Sequence, residues 1–325
     1  MANRKEAVPQ LELLSGLRAS EKVVLGFFAY AVAASLVFPL SLRERLTILA
    51  LNLLASAVVL SLARFAKAER SASLAIVRDW LPCFLILLAY RESGIFFRPD
   101  PTHRLDYLFE CWDAILLSHP WVVGMLTFCS PWLQRYLEFS YLLCYPLVPL
   151  GLGSLYIGRR RADLRAHEEG QDSNRADERL ARRKRKWVLA PEGLRRWSPV
   201  DHFWTAVLLA TLICYALYPL FPLTPPRVLF HDLPGPAVQP FLRKMNFWIL
   251  DQYSVQACIF PSGHVAAVTA TALALRTYLP RVGVLFLIAA ASVAAATVYG
   301  RYHYAADALA GALVGLAAFL ISNHI

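Results

Sequence analysis

Apolar residues run along this chain in long unbroken blocks, without the alternation of a strand or the half-faced pattern of a soluble helix. A hydrocarbon core of roughly 30 Å takes about 17 to 25 helical residues to cross. Runs of that kind fall near residues 23–40, 46–63, 74–90, 137–157, 203–222, 262–279, 282–299 and 303–321. Arg78 and Asp79 interrupt the start of the third run and read as a juxtamembrane pair. The pattern predicts an all-α polytopic membrane bundle of about eight transmembrane helices. Val23 to Leu40 is long enough to span and no convincing small-residue cleavage site follows it, so the first run reads as a retained anchor.

The polar stretches between the runs set the orientation. Arg4, Lys5, Arg18 and Lys22 precede the first run, Arg64, Lys67, Arg70 and Arg78 follow the second, and a dense basic cluster lies between Gly158 and Asp201. Basic loops are held inside during insertion, which places these segments and both termini in the cytoplasm. The opposite side receives Arg91 to Glu138, where Arg91, Arg98, Arg104 and Arg135 are offset by Glu92, Asp100, Asp106, Glu110 and Asp113. Residues 105–133 read as amphipathic helices lying on that outer surface, capping whatever site lies beneath and admitting lipid sideways. Four segments follow: 1–22, a cytoplasmic N-terminal segment; 23–157, an N-terminal membrane half; 158–202, a basic cytoplasmic linker of mixed charge; and 203–325, a C-terminal membrane half.

Composition agrees. Apolar residues make up 57% and mean hydropathy is +0.44, above the roughly half that soluble domains carry. The net charge of +10 sits largely in the loops retained inside. A run such as Arg182-Arg183-Lys184-Arg185-Lys186 on a membrane protein suits anionic headgroups better than nucleic acid, so no nucleic-acid partner is expected. No internal repeat suggests an inverted-repeat transporter. The cysteines, at 83, 111, 129, 144, 214 and 258, show no metal spacing. Cys111, Cys129 and Cys258 fall on the outer side, where a disulfide could form, with the pairing left open.

The chemistry-bearing residues gather in the last third. Pro261-Ser262-Gly263-His264 and Arg301-Tyr302-His303-Tyr304-Ala305-Ala306-Asp307 each open an apolar run, and the interval between them fits one helix leaving a membrane face and one returning. The two elements therefore meet at one face. His303 and Asp307, at i and i+4, share a helix face, where the carboxylate can hold one imidazole nitrogen and leave the other as a nucleophile. Arg301 offers a planar donor fork to phosphate oxygens. Ser262 and Gly263 stand at a helix N-cap whose hydroxyl and free amides suit the same oxygens, and His264 is in reach of a leaving oxygen as general acid. Prolines in Tyr218-Pro219-Leu220-Phe221-Pro222-Leu223-Thr224-Pro225-Pro226-Arg227 end the fifth run and bring a second guanidinium, Arg227, to this face. By contrast, His103, His119, His202, His231 and His324 read as interfacial residues, and Trp112, Trp121, Trp132, Trp197 and Trp204 as belt aromatics.

These residues resemble the superfamily of type 2 phosphatidic acid phosphatases and vanadium haloperoxidases, which carries the blocks Lys-x6-Arg-Pro, Pro-Ser-Gly-His and Ser-Arg-x5-His-x3-Asp. Pro261 to His264 matches the second block in full, and His303 with Asp307 matches the end of the third. The resemblance implies that His303 forms a phosphohistidine, Asp307 supports it, His264 protonates the leaving group, and Arg227 and Arg301 bind phosphate; no metal or cofactor is implied. Departures are clear. Leu220 stands where the Lys is expected, Val228 follows Arg227, and Thr297 takes the Arg position six residues before His303. These changes resemble the branch of inositol phosphorylceramide synthases, and Arg78-Asp79-Trp80-Leu81-Pro82, Tyr90 and Asp113 are similar to that branch too. The resemblance is specific over about residues 215 to 315.

The expectation is a membrane enzyme of the plasma or inner membrane that opens a lipid phosphoester or phosphodiester through His303, with its site on the extracytoplasmic side and the 203–325 half carrying the catalysis. Water as second acceptor makes it a lipid phosphate phosphatase, and an alcohol such as inositol makes it a phosphotransferase. The rivals are a non-catalytic transporter or scaffold, and a metallohydrolase with His264, His303 and Asp307 as ligands.

Overall fold

The computed structural model describes residues 16–69, 72–98, 102–127, 130–170, 198–231, 241–255, 257 and 260–325. Arg4, Lys5, Arg70, Asp100, Cys129, Cys258, Trp197 and the basic run 182–186 lie outside the described residues. Those described form helices and no strand. In chain order they are α1 (Ala19–Val37), α2 (Leu42–Glu69), α3 (Ala72–Ile95), α4 (Arg104–Leu117), α5 (Pro120–Thr127), α6 (Pro131–Leu142), α7 (Leu147–Gly170), α8 (Pro199–Leu217), α9 (Pro226–Leu229), α10 (Phe241–Tyr253), α11 (Gly263–Tyr278), α12 (Pro280–Tyr299) and α13 (Ala305–Ser322).

Among the described residues six helices are long and apolar enough to cross a membrane: α1, α2, α3, α8 (extended by a 3-10 turn to Leu220), α12 and α13. Exposed Leu53, Leu54, Phe84, Leu87, Leu285 and Leu313 on their outer faces suit a lipid-facing surface. The chain is thus an all-α polytopic bundle, and two of the eight expected crossings take a different form. The 137–157 run is broken, with α6 and α7 meeting at 73°. Pro146 explains the break, because it lacks an N–H and disfavours helical backbone at Tyr145. The 262–279 run is α11, of 16 residues, which rises only about 24 Å. Pro261 and Pro280 bracket it. It is a core element packed against α7, α8, α12 and α13.

α8 and α11 occupy the centre. Ser198 caps α8 through the Asp201 N–H at 3.1 Å, and most of α8 is buried against α1, α3, α7, α11 and α13. α11 buries Val265, Ala266, Ala267, Val268, Ala270, Thr271, Ala272, Ala274 and Leu275, whose small size lets four helices close around it. One of these four is α13, whose Gly311 and Gly315 form a G-x-x-x-G face. A β-carbon at Gly311 would lie 2.5 Å from the Ser262 carbonyl oxygen, and one at Gly315 would lie 2.6 Å from that of Ala266. Backbone cannot move aside as a flexible side chain can. Gly311→Ala is therefore expected to destabilise the bundle by about 1–3 kcal/mol and lower its thermal midpoint in detergent. Gly26→Ala, at a position with nothing within 4 Å, should leave the midpoint unchanged or raise it.

The end of the bundle remote from the histidine elements is laced by charge. Arg18 pairs with Asp79, Arg78 pairs with Glu21, and the indole N–H of Trp204 donates to the Asp79 carbonyl at 2.7 Å. The Tyr156 hydroxyl also donates to Asp79. Asp201 accepts the backbone N–H groups of Ala19 and Ser20, capping α1 from α8. Arg78 and Asp79 thus tie α1, α3, α7 and α8 together at this end. The small cavity lined by Arg18, Glu21, Arg78 and Trp204 belongs to this network.

Candidate active site

At the other end of α8 the chain leaves the core through the 3-10 turn Tyr218–Leu220 and the short helix α9. Leu220, in the place of the expected Lys, is exposed. Arg227 donates its backbone N–H to the Arg301 carbonyl at 2.9 Å, so this segment is stitched to the α12–α13 turn. The Pro-Ser-Gly-His element is stitched to the same turn from the opposite side, through the Ser262 N–H and the Asp307 carbonyl at 3.2 Å. Ser262 is the N-cap of α11, its hydroxyl accepting from the Val265 N–H at 3.5 Å. Two backbone hydrogen bonds and the Gly311 approach thereby bring three sequence-distant elements to one place.

The imidazoles of His264 and His303 face each other with ring centroids 5.9 Å apart and planes at 82°. His303 Nδ1 is hydrogen-bonded to the Asp307 carboxylate. That bond places the proton on Nδ1, leaving Nε2 with its lone pair. His303 is 8% exposed and Asp307 fully buried, while His264 is half-buried. Tyr145 and Tyr141 stand edge-on to the His264 ring at 5.7 and 6.3 Å, fixing its plane.

The turn that presents His303 is bent in an uncommon way. Arg301 has φ 60°, the left-handed region, at a residue with a β-carbon, which costs on the order of 1 kcal/mol or more. The Thr297 carbonyl then accepts from both the Tyr302 and His303 N–H groups, at 2.9 and 3.1 Å. Thr297, standing where the family pattern has Arg, supplies backbone to the turn and its hydroxyl to the Ala294 carbonyl. Gly300 is fitted to the turn by its lack of a side chain, since a β-carbon there would lie 2.1 Å from the Tyr302 ring. Arg301 Nη1 donates to the Phe230 carbonyl at 3.4 Å, so its guanidinium is directed toward the segment that follows α9.

The arrangement combines a nucleophilic nitrogen, a second imidazole across a gap and cationic groups nearby, all at one end of a membrane bundle. Residues 187–321 match the family model described as the PAP2 superfamily. Over these residues the chain is similar to that superfamily. The match takes in Arg227, the Pro-Ser-Gly-His element and His303 with Asp307, and leaves α1 to α7 outside it. It is a match to the PAP2 superfamily as a whole and selects no branch of it. The PAP2 superfamily carries phosphatase or phosphotransferase chemistry in general. No curated protein and no solved structure matches the chain.

The structure adds Asp106 and Glu138 to the residues expected at the site and gives Asp113, already noted in the resemblance, its contacts there. Asp106 accepts the Thr224 N–H at 2.8 Å, Asp113 accepts the Ala305 and Ala306 N–H groups at 3.0 and 3.1 Å, and Glu138 accepts the Tyr302 hydroxyl at 2.7 Å. Burial and the nearby Asp307 raise the pKa of Asp113, and its two amide hydrogen bonds oppose the shift. Burial, with Glu138 beside it, raises that of Tyr302. A lone acid in the 137–157 apolar run was the available signal for Glu138, because ionisable groups at membrane depth usually have a task. For Asp106 and Asp113 the signal was their shared face at i and i+7, with Phe109 between.

Proposed function

We propose that the protein is a membrane-embedded lipid phosphatase or phosphotransferase that works through a phosphohistidine on His303. The observation that carries this reading is the pair of facing imidazoles at 5.9 Å, one of them held through Nδ1 by a buried carboxylate. His303 Nε2 attacks phosphorus, the bond from phosphorus to the leaving oxygen breaks, and His264 gives that oxygen its proton. In the second half His264 takes a proton from water or an alcohol, whose oxygen attacks phosphorus as the phosphorus–nitrogen bond breaks. Asp307 stabilises the charge on His303 throughout. Arg227 offsets the phosphate charge, Ser262 and Gly263 border it, and Arg301 joins it on turning from the Phe230 carbonyl.

A lipid substrate is supported by the setting. The site opens beside α4, whose outward Tyr107, Trp112 and Ile115 are exposed apolar surface suited to a membrane interface. The basic residues before α1 and in the last turns of α2 support a cytoplasmic location for the opposite end, and with it a site on the extracytoplasmic side of a plasma or inner membrane.

Purified protein in mixed micelles, given radiolabelled phosphatidate, polyprenyl phosphate or phosphatidylinositol with and without free inositol, tests the reading. From a phosphomonoester, label should leave as inorganic phosphate if water is the acceptor and as inositol phosphate if inositol is; from phosphatidylinositol, loss of the glyceride gives inositol phosphate with water, and only a lipid alcohol as acceptor returns the label to a new lipid. Orthovanadate, a mimic of pentacoordinate phosphorus, should block turnover, and a chelator should not. Loss of all activity in chelator would favour the metallohydrolase, and absence of turnover with every lipid would favour the scaffold.

A further inference from the structure

The turn that carries His303 is held by carboxylates from a part of the chain outside the PAP2 match. On α4, Asp106, Phe109 and Asp113 share one face at i, i+3 and i+7. Asp106 receives the Thr224 N–H at 2.8 Å and pairs with His103 Nδ1 at 2.7 Å, with the Tyr304 hydroxyl 3.5 Å away. Phe109 packs on the rings of Phe260 and Tyr304, at 4.8 and 5.5 Å. Asp113 closes over the first amides of α13, those of Ala305 and Ala306. The N-cap residue of that helix, Tyr304, makes no side-chain cap of its own. On α6, Glu138 takes the Tyr302 hydroxyl on one oxygen and Arg243 on the other, with Asn246 bridging to it at 2.9 Å. Tyr302 in turn stacks on Tyr141 with centroids 3.7 Å apart, and Tyr141 faces His264.

Each residue flanking His303 is therefore fixed from α4 or α6. Tyr302 is held by Glu138, Tyr304 is packed by Phe109 beside Asp106, and Ala305 and Ala306 are held by Asp113. Such a clamp answers a specific need. The turn passes through left-handed backbone at Arg301, which persists only where the surroundings over-determine it. Buried ion pairs such as Glu138 with Arg243 add little net stability over apolar side chains of equal volume; what they supply is defined geometry.

We propose that Asp113 and Glu138, braced by Asp106, are positioning residues that hold His303 in line with the phosphorus atom, so that α4 and α6 are part of the active site although they lie outside the PAP2 match. This rests on the phosphohistidine reading. A displacement of about 1 Å in a reacting group is enough to lose on the order of 10²-fold in rate.

The test uses the full chain in detergent and the lipid phosphate turned over fastest in the assay above, with kcat, KM, orthovanadate inhibition and thermal midpoint measured together. Asp113→Ala is expected to lower kcat by about 10- to 100-fold with KM within about twofold. Orthovanadate should bind more weakly by a similar factor, because it reports the transition-state geometry. Asp113→Asn, which keeps one acceptor oxygen, should recover part of the rate. Tyr302→Phe removes only the hydroxyl that Glu138 accepts and keeps the stacking on Tyr141, so it serves where Asp113→Ala does not fold; a kcat lowered by about 10-fold at unchanged KM is expected. Wild-type kcat per folded molecule in Asp113→Asn and Tyr302→Phe overturns the clamp, as does a rise in KM at unchanged kcat. His303→Ala run alongside separates the two ideas. If it retains wild-type turnover the phosphohistidine reading fails, whereas a dead His303→Ala beside fully active Asp113 and Tyr302 variants sinks the clamp alone.

Discussion

Replacing His303 by alanine is expected to lower phosphate turnover by about 10⁴-fold or more, the loss typical of removing a covalent nucleophile. The size follows from the geometry. With Nδ1 bound to Asp307, Nε2 is the nitrogen left for attack, the ring lies 5.9 Å from that of His264, and no other imidazole packs against this pair among the described residues. Water in the emptied space would have to attack directly, without the charge stabilisation that Asp307 gives the imidazolium. The wild-type enzyme, quenched during turnover of a radiolabelled lipid, should carry label that survives base and is lost in acid, as a phosphorus–nitrogen bond is. The His303→Ala protein should carry none. Asp307→Asn should fall between the two, since the amide can still orient the ring through its oxygen but offers no charge. Equal turnover by wild type and His303→Ala would remove the phosphohistidine from the account.

The convergence at the site was readable because it depends on lengths and on which residues open each apolar run. Two crossings between Pro261 and Tyr304 must return the chain to the face it left, and the Pro-Ser-Gly-His spacing and the His303 to Asp307 spacing are both local. What depends on contacts between distant segments was not readable. The bend between α6 and α7 had a visible cause in Pro146, hidden by a run whose hydropathy is continuous across it. α11 reads as a crossing like the others from composition, whereas its short length and its burial against the glycines of α13 set it apart from the lipid-exposed crossings. Position alone puts Arg301 at the phosphate, but its left-handed backbone and the contact of its guanidinium with the Phe230 carbonyl were not readable. The three carboxylates of α4 and α6 reach partners more than 100 residues away in sequence. Their faces can be read from spacing, but no spacing tells where a surface helix will dock.

His264 offers the second large effect, and its dependence on the leaving group separates acid catalysis from simple charge. For a lipid phosphate the leaving oxygen is an alkoxide unless it is protonated, so His264→Ala should cost about 10²- to 10⁴-fold in kcat/KM. A nitrophenyl phosphate releases a stabilised phenolate that leaves without a proton, and its first step should lose little. The second half-reaction still needs a base to deprotonate water, and His264 is the group placed for it, opposite His303 and fixed by the edges of Tyr141 and Tyr145. The His264→Ala enzyme should therefore release a burst of nitrophenolate approaching one per molecule and then stall with phosphate held on His303. If both substrates lose rate by the same factor and no burst appears, His264 binds phosphate rather than moving protons. In that case Arg227, the cation brought in by the α8 exit, would have to share its place at the phosphorus atom, and proton transfer would fall to solvent entering beside the half-buried ring.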